Sequence, residues 1–210
     1  MTCKLCETRR PRRACPGVGG EICSVCCGTG REDTVNCPLD CVYLREARTR
    51  EKPVGVDPKQ IPNLDIEVSD SFLREHDALL AFLVGTVAEA GLSAAGAVDY
   101  DLREALGALV RTYRTRQSGL YYETKPSNLI AAGIQERVQK SIDDFREAVG
   151  KRAGMTTVRD ADVLGVLAFL ERVEYQTNNG RRRGRAFLDF LRAQSAAMAA
   201  DAARSPLVVP

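Results

Sequence analysis

After residue 65, apolar residues recur at helical spacing in five stretches, with polar residues filling the intervals. Ser69 or Asp70 can cap a first helix running to about Gly91, with Phe72, Leu79, Leu80, Leu83 and Val87 on one side. A second helix is predicted from Asp99 to about Gln117, where Leu102, Leu106, Leu109, Val110 and Tyr113 repeat. Gly119 and the run Leu120-Tyr121-Tyr122 end it. A third starts at Ser127, after Pro126, with Ile130, Ile134, Val138, Ile142, Phe145 and Val149 as the cleanest stripe in the chain. Gly150 to Gly154 terminates it. Thr157-Val158-Arg159-Asp160 reads as a capping box for a fourth helix reaching about Asn178, with Val163, Val166, Leu167, Leu170 and Val173 inward. Asn178-Asn179-Gly180 stops it, since these residues tolerate the left-handed conformation. A fifth helix opens at Arg181, carries Phe187, Phe190 and Leu191, and ends near Ala203. The short turn predicts an antiparallel hairpin with the fourth. The expected fold class is mainly α: a small cysteine-rich zinc module, then an all-α bundle of about five helices over residues 66–204, with 205–210 as a fraying tail.

The pattern before residue 65 is different. Residues 51–65, with Pro53, Pro58 and Pro62 and little periodicity, read as a linker. Residues 1–50 hold all eight cysteines: Cys3, Cys6, Cys15, Cys23, Cys26, Cys27, Cys37 and Cys41. The chain starts Met1-Thr2-Cys3 with no apolar stretch behind it, which predicts no secretory signal and a reducing cytoplasm. Clustered cysteines there hold metal more often than disulfides. Zinc accepts four thiolates tetrahedrally, and a Cys-x-x-Cys turn aims two sulfurs at one ion. Eight ligands predict two zinc ions. Cys26 and Cys27 are neighbours, and in locally extended chain their side chains would point opposite ways. The preferred pairing is therefore Cys3, Cys6, Cys23 and Cys26 on one ion, and Cys15, Cys27, Cys37 and Cys41 on the other. An alternating scheme, Cys3, Cys6, Cys26, Cys27 against Cys15, Cys23, Cys37, Cys41, stays open. Pro38 suits a first helical position, so Leu39 to Arg50 reads as a helix with Cys37 and Cys41 on one face at its start.

Over residues 3–41 the cluster resembles the small double-zinc modules of treble-clef or cross-brace type, such as MYND and B-box domains, with cysteine in every ligand place. The resemblance implies a non-catalytic docking module, often for protein partners. An iron–sulfur cluster would use only four of the eight cysteines.

Composition adds little to this picture. The formal charge of +2 does not mark a nucleic-acid binder, and two filled four-thiolate zinc sites, each −2, would bring it to about −2. No apolar run approaches the ~18 residues of a membrane span. Two arginine clusters remain as candidate anion or nucleic-acid contacts: Arg9, Arg10, Arg12 and Arg13, and Arg181, Arg182, Arg183 and Arg185. The plainer expectations are that the first offsets the thiolates and that the second pairs with Asp189, Glu171 and Glu174. His76, the one histidine, reads as a packed or surface residue. Tyr121 and Tyr122 read as anchors of their loop onto the core. No catalytic constellation or nucleotide loop is present. The function expected is a non-enzymatic zinc-binding adaptor that docks a macromolecular partner, a protein first. The alternatives are a nucleic-acid-binding regulator using both arginine clusters and a thiol redox protein using Cys23, Cys26 and Cys27.

Overall fold

In the computed structural model, residues 2–51, 55–153 and 158–204 are described. The chain is mostly helical, with a cysteine-rich N-terminal region. That region holds a hairpin of β1 (Arg13–Cys15) and β2 (Gly20–Ile22), paired antiparallel with Ala14 opposite Glu21. Two short helices follow, α1 (Ser24–Gly30) and α2 (Val42–Arg48). A single 3-10 turn, Pro58–Gln60, precedes α3 (Asp70–Glu75), α4 (Asp77–Ser93), α5 (Asp99–Gln117), α6 (Leu129–Ala153), α7 (Asp160–Thr177) and α8 (Ala186–Arg204). Among the described residues no helix is long and apolar enough to cross a membrane.

The five long helices, α4 to α8, form the bundle. Their apolar stripes bury Leu83, Val87, Leu102, Leu106, Leu109, Ile134, Val138, Ile142, Val163, Leu167 and Leu191 in one core. Such burial stabilises by roughly 25 cal/mol per Å2 of apolar surface removed from water, and it drives the assembly. α5 packs chiefly against α7, α8 chiefly against α4, and α6 against both α4 and α5.

Several boundaries differ from the sequence reading. The helix expected from residue 70 to 91 is broken at His76 (φ −115°, ψ 28°), whose ring stacks on Phe72 at 4.4 Å and whose Nδ1 lies 2.9 Å from the Phe72 carbonyl. Ser69 caps α3 through Phe72 N, as expected. The third helix begins at Leu129, not Ser127, because the Asn128 side chain accepts the amide of Ile130. Thr157 lies outside the described residues; α7 starts at Asp160, with the Asp162 carboxylate accepting the Arg159 amide at 3.1 Å. α2 starts at Val42, so Pro38 is not its first residue and only Cys41 touches its N-terminus. α1 was not foreseen: Cys26 and Cys27 are helical, not extended.

The largest departure is the connector between α7 and α8. Residues 178–185 are not a tight turn and do not open α8. They reach back to the cysteine-rich region, where a wholly buried Glu32 gathers them. Its carboxylate accepts Asn179 Nδ2 at 2.8 Å and Arg185 N at 3.0 Å, and its carbonyl accepts Arg183 N at 2.7 Å. The same carboxylate accepts Arg48 Nη2 at 2.6 Å, while Arg48 Nη1 bonds Asp189 on α8. Leu39 inserts into the bundle core nearby. This seam fixes the cysteine-rich region on the bundle. The segment before α3 is fixed as well: Arg172 on α7 donates to the carbonyls of Asn63 and Ile66, and Arg114 grips Asp65.

Candidate metal centre

The first cysteine pair sits on a turn closed by Glu7 N donating to the Cys3 carbonyl at 2.8 Å, with Glu7 in the left-handed region (φ 53°). The second pair opens α1. Cys23 is its N-cap, and its sulfur accepts Cys26 N at 3.4 Å. The β1–β2 hairpin lies between the two turns in sequence, and Lys4 ties them through its amide to Glu21 O at 3.0 Å and its ammonium to Gly19 O at 3.0 Å. Ile22, fully buried, packs with Cys3 and Cys23. Cys23 N then donates to Cys3 Sγ at 3.2 Å.

The result is one compact tetrad. The sulfurs of Cys3, Cys6, Cys23 and Cys26 all lie within 4.8 Å of one another. A tetrahedron of four thiolates at about 2.3 Å from zinc has edges of about 3.8 Å, so the tetrad is close to coordination size. All eight cysteines are free thiols, not disulfides. This group could hold a metal ion.

Its four sulfurs differ in how readily they ionise. Burial opposes ionisation of Cys3, but the amides of Cys6, Cys23 and Leu5 outweigh it and bring the thiol down to about 6. The Arg9 and Thr8 amides hold Cys6 below its ordinary value. Cys26 goes the other way, up to about 12, because it hydrogen-bonds to Cys23, is partly desolvated, and faces Cys6 and Cys3. Protein dipoles alone therefore do not ionise all four sulfurs; a divalent cation would do so.

Cys15, at the end of β1, Cys27 on α1, Cys37 in the following loop and Cys41 capping α2 line a second cavity of about 10 Å3, room for one ion or one water. Their sulfurs are more spread: among the described residues only the first tetrad meets the 4.8 Å spacing. Burial, with Cys15 and Cys41 nearby, pushes the Cys37 thiol up. Val35 and Leu44 seal this cavity, and Val18 packs on both cysteine groups. The structure thus brings together the preferred tetrad, not the alternating one, although Cys26 and Cys27 diverge for a helical reason: neighbours on a helix are turned by roughly 100°.

The arginines divide. Arg9 is held above its ordinary value first by a hydrogen bond to Cys23, then by the Cys6 charge. Arg13 Nη1 lies 3.2 Å from Cys27 Sγ, and its guanidinium stacks on Tyr43 at 4.7 Å. These two offset thiolates. Arg181 donates to the Arg31 carbonyl at 2.8 Å and pairs with Glu51 at 3.2 Å; Arg185 donates to Ala97 O and Asn36 Oδ1. The expected partners Asp189, Glu171 and Glu174 are taken by Arg48, Asn63 and Arg103 instead. Arg10, Arg12, Arg182 and Arg183 are exposed.

Tyr121 and Tyr122 do not anchor their loop. Tyr121 is 92% exposed, with Leu120, Tyr122 and Leu129 also open to solvent. The loop is held by its backbone: Thr115 Oγ1 donates to Tyr122 O at 3.0 Å, and Thr124 N donates to Thr112 Oγ1. Glu32 carries no signal in the sequence, being one acid beside Asp33 in the turn after Gly28 and Gly30. No family model, curated protein or solved structure matches the chain.

Proposed function

We propose that this chain is a non-enzymatic zinc adaptor. In this reading the first zinc is held by Cys3, Cys6, Cys23 and Cys26, and the second by Cys15, Cys27, Cys37 and Cys41. The ligands interleave along the chain as in cross-brace modules. The observation that carries it is the tetrad of four free sulfurs within 4.8 Å, braced by backbone amides. All-thiolate ligation with no open position is the pattern of structural rather than catalytic zinc. The metal would stabilise a segment too short to build a core of its own. The bundle then presents Leu120, Tyr121 and Tyr122 as apolar anchors for a protein partner, aromatic side chains being favoured at such interfaces.

Native mass of the purified chain with and without a chelator tests the metal: a mass increment of two zinc ions is expected, and none at all would overturn the reading. Capture of a partner that Y121S/Y122S abolishes, at unchanged zinc content, would support the adaptor role. Capture indifferent to that variant would remove it from this surface.

A second reading, a nucleic-acid-binding regulator, is favoured by one fact: Arg13 and Arg181, from the two clusters, line the same cleft. A redox role for Cys23, Cys26 and Cys27 draws less support, since Cys23 is buried and Cys26 resists ionisation.

A further inference from the structure

Between the cysteine-rich region and the α7–α8 connector lies an open cleft of about 330 Å3. Four guanidinium groups line it, from β1 (Arg13), the end of α1 (Arg31), the end of α2 (Arg50) and the connector (Arg181), against two carboxylates, Glu46 and Glu51. Two of the four cations are already engaged. Arg13 serves Cys27 and Tyr43, and Arg181 pairs with Glu51. Arg31 and Arg50 also line the cleft, Arg31 at the wall it shares with the second cysteine cavity, and among the described residues the buried Arg31 Nε–H has no hydrogen-bond partner. A buried donor without an acceptor costs free energy unless something else accepts it. Arginine's planar fork matches tetrahedral oxyanions, phosphate above all. The volume exceeds that of a phosphate ion and falls at the lower end of small-molecule pockets.

We infer that this cleft binds a phosphate group of a ligand about the size of a nucleotide, with Arg31 and Arg50 as the direct contacts and Arg13 and Arg181 shaping the walls. Glu46, whose charge acts on Arg13 in the same cleft but which forms no salt bridge among the described residues, repels the ligand and limits its affinity. None of these residues is a metal ligand and none lies in the Leu120–Tyr122 patch, but Arg13 and Arg31 also line the second cysteine cavity, so zinc content is measured alongside binding to tell the failure of one reading from the failure of the other.

The test is calorimetric titration of the zinc-loaded full chain with three probes: inorganic phosphate, adenosine monophosphate and a short single-stranded RNA. R31Q/R50Q should weaken binding by about tenfold or more, with zinc content unchanged. E46Q should tighten it several-fold, a gain that misfolding does not produce. If phosphate and the mononucleotide follow this pattern, the ligand is a free phosphate ester; if only the RNA does, it is a polynucleotide backbone. No binding of any probe, or affinity that R31Q/R50Q leaves unchanged, overturns the inference.

Discussion

The amide of Arg185 donates to the carboxylate of Glu32 at 3.0 Å, joining residues 153 positions apart in sequence. That one acid also holds Arg48 and Asn179, so the cysteine-rich region, α2 and the α7–α8 connector meet on two oxygen atoms. E32A would leave the largely buried Arg48 with Asp189 alone. We predict a loss of about 3 kcal/mol in unfolding free energy, the usual scale for breaking a buried pair. Urea denaturation measures it, and zinc content should not change.

Chelation should separate the two parts of the fold. α1 and α2 are only seven residues each, and they pack in two small clusters built largely from cysteines with Ile22, Val18 and Val35. Far-UV circular dichroism should therefore fall only slightly on metal removal, while all eight thiols become open to alkylation. The bundle should melt at lower temperature, because loss of the loop between Cys27 and Cys37 removes Glu32 from its seam. Unchanged thiol reactivity would contradict this.

Gly165 on α7 faces the ring of Phe72: a Cβ placed there would meet Phe72 Cζ at 2.5 Å. G165A gains helix propensity of under about 1 kcal/mol but must displace a ring stacked on His76. The net expectation is destabilisation of about 1–2 kcal/mol. In the F72A background the same change should become neutral or favourable. A double-mutant cycle reads both.

Asp99 is buried at the start of α5 and accepts the amides of Phe187 and Leu188 at 3.0 and 3.1 Å. Burial, with the charge of Glu174 nearby, raises its carboxyl from 3.8 to about 7 against those two bonds. The folded state thus binds this proton more tightly than the unfolded state. Its stabilising contribution is complete below about pH 4 and is lost as pH rises through about 7. D99N has no such titration. The stability of the wild type relative to D99N should fall by about 2 kcal/mol between pH 5 and pH 8. Taking the difference cancels the other titrating groups common to both chains.

Sequence periodicity located α5 to the residue, because Leu102, Leu106, Leu109 and Tyr113 repeat without interruption and Gly119 closes the stretch. It ran α3 and α4 together, because the apolar pattern continues through a break made by one dihedral pair at His76. It missed α1, whose Ser-Val-Cys-Cys-Gly-Thr-Gly composition favours no helix; cysteine packing imposes it. The first tetrad was legible from Cys-x-x-Cys spacing. Partners of the second arginine cluster were not, because Arg31, Asn36 and Glu51 are more than a hundred residues away and no local pattern encodes them.

Leu39 sits under the α4–α5 corner, beside Ala97 and Leu188, as part of the helical core. Severing the chain near residue 50 would leave a bare apolar socket on one fragment and a greasy plug on the other. Each half-molecule would carry an incentive to find the other again. Mixed in a test tube, the two pieces should re-form the intact particle without a covalent link.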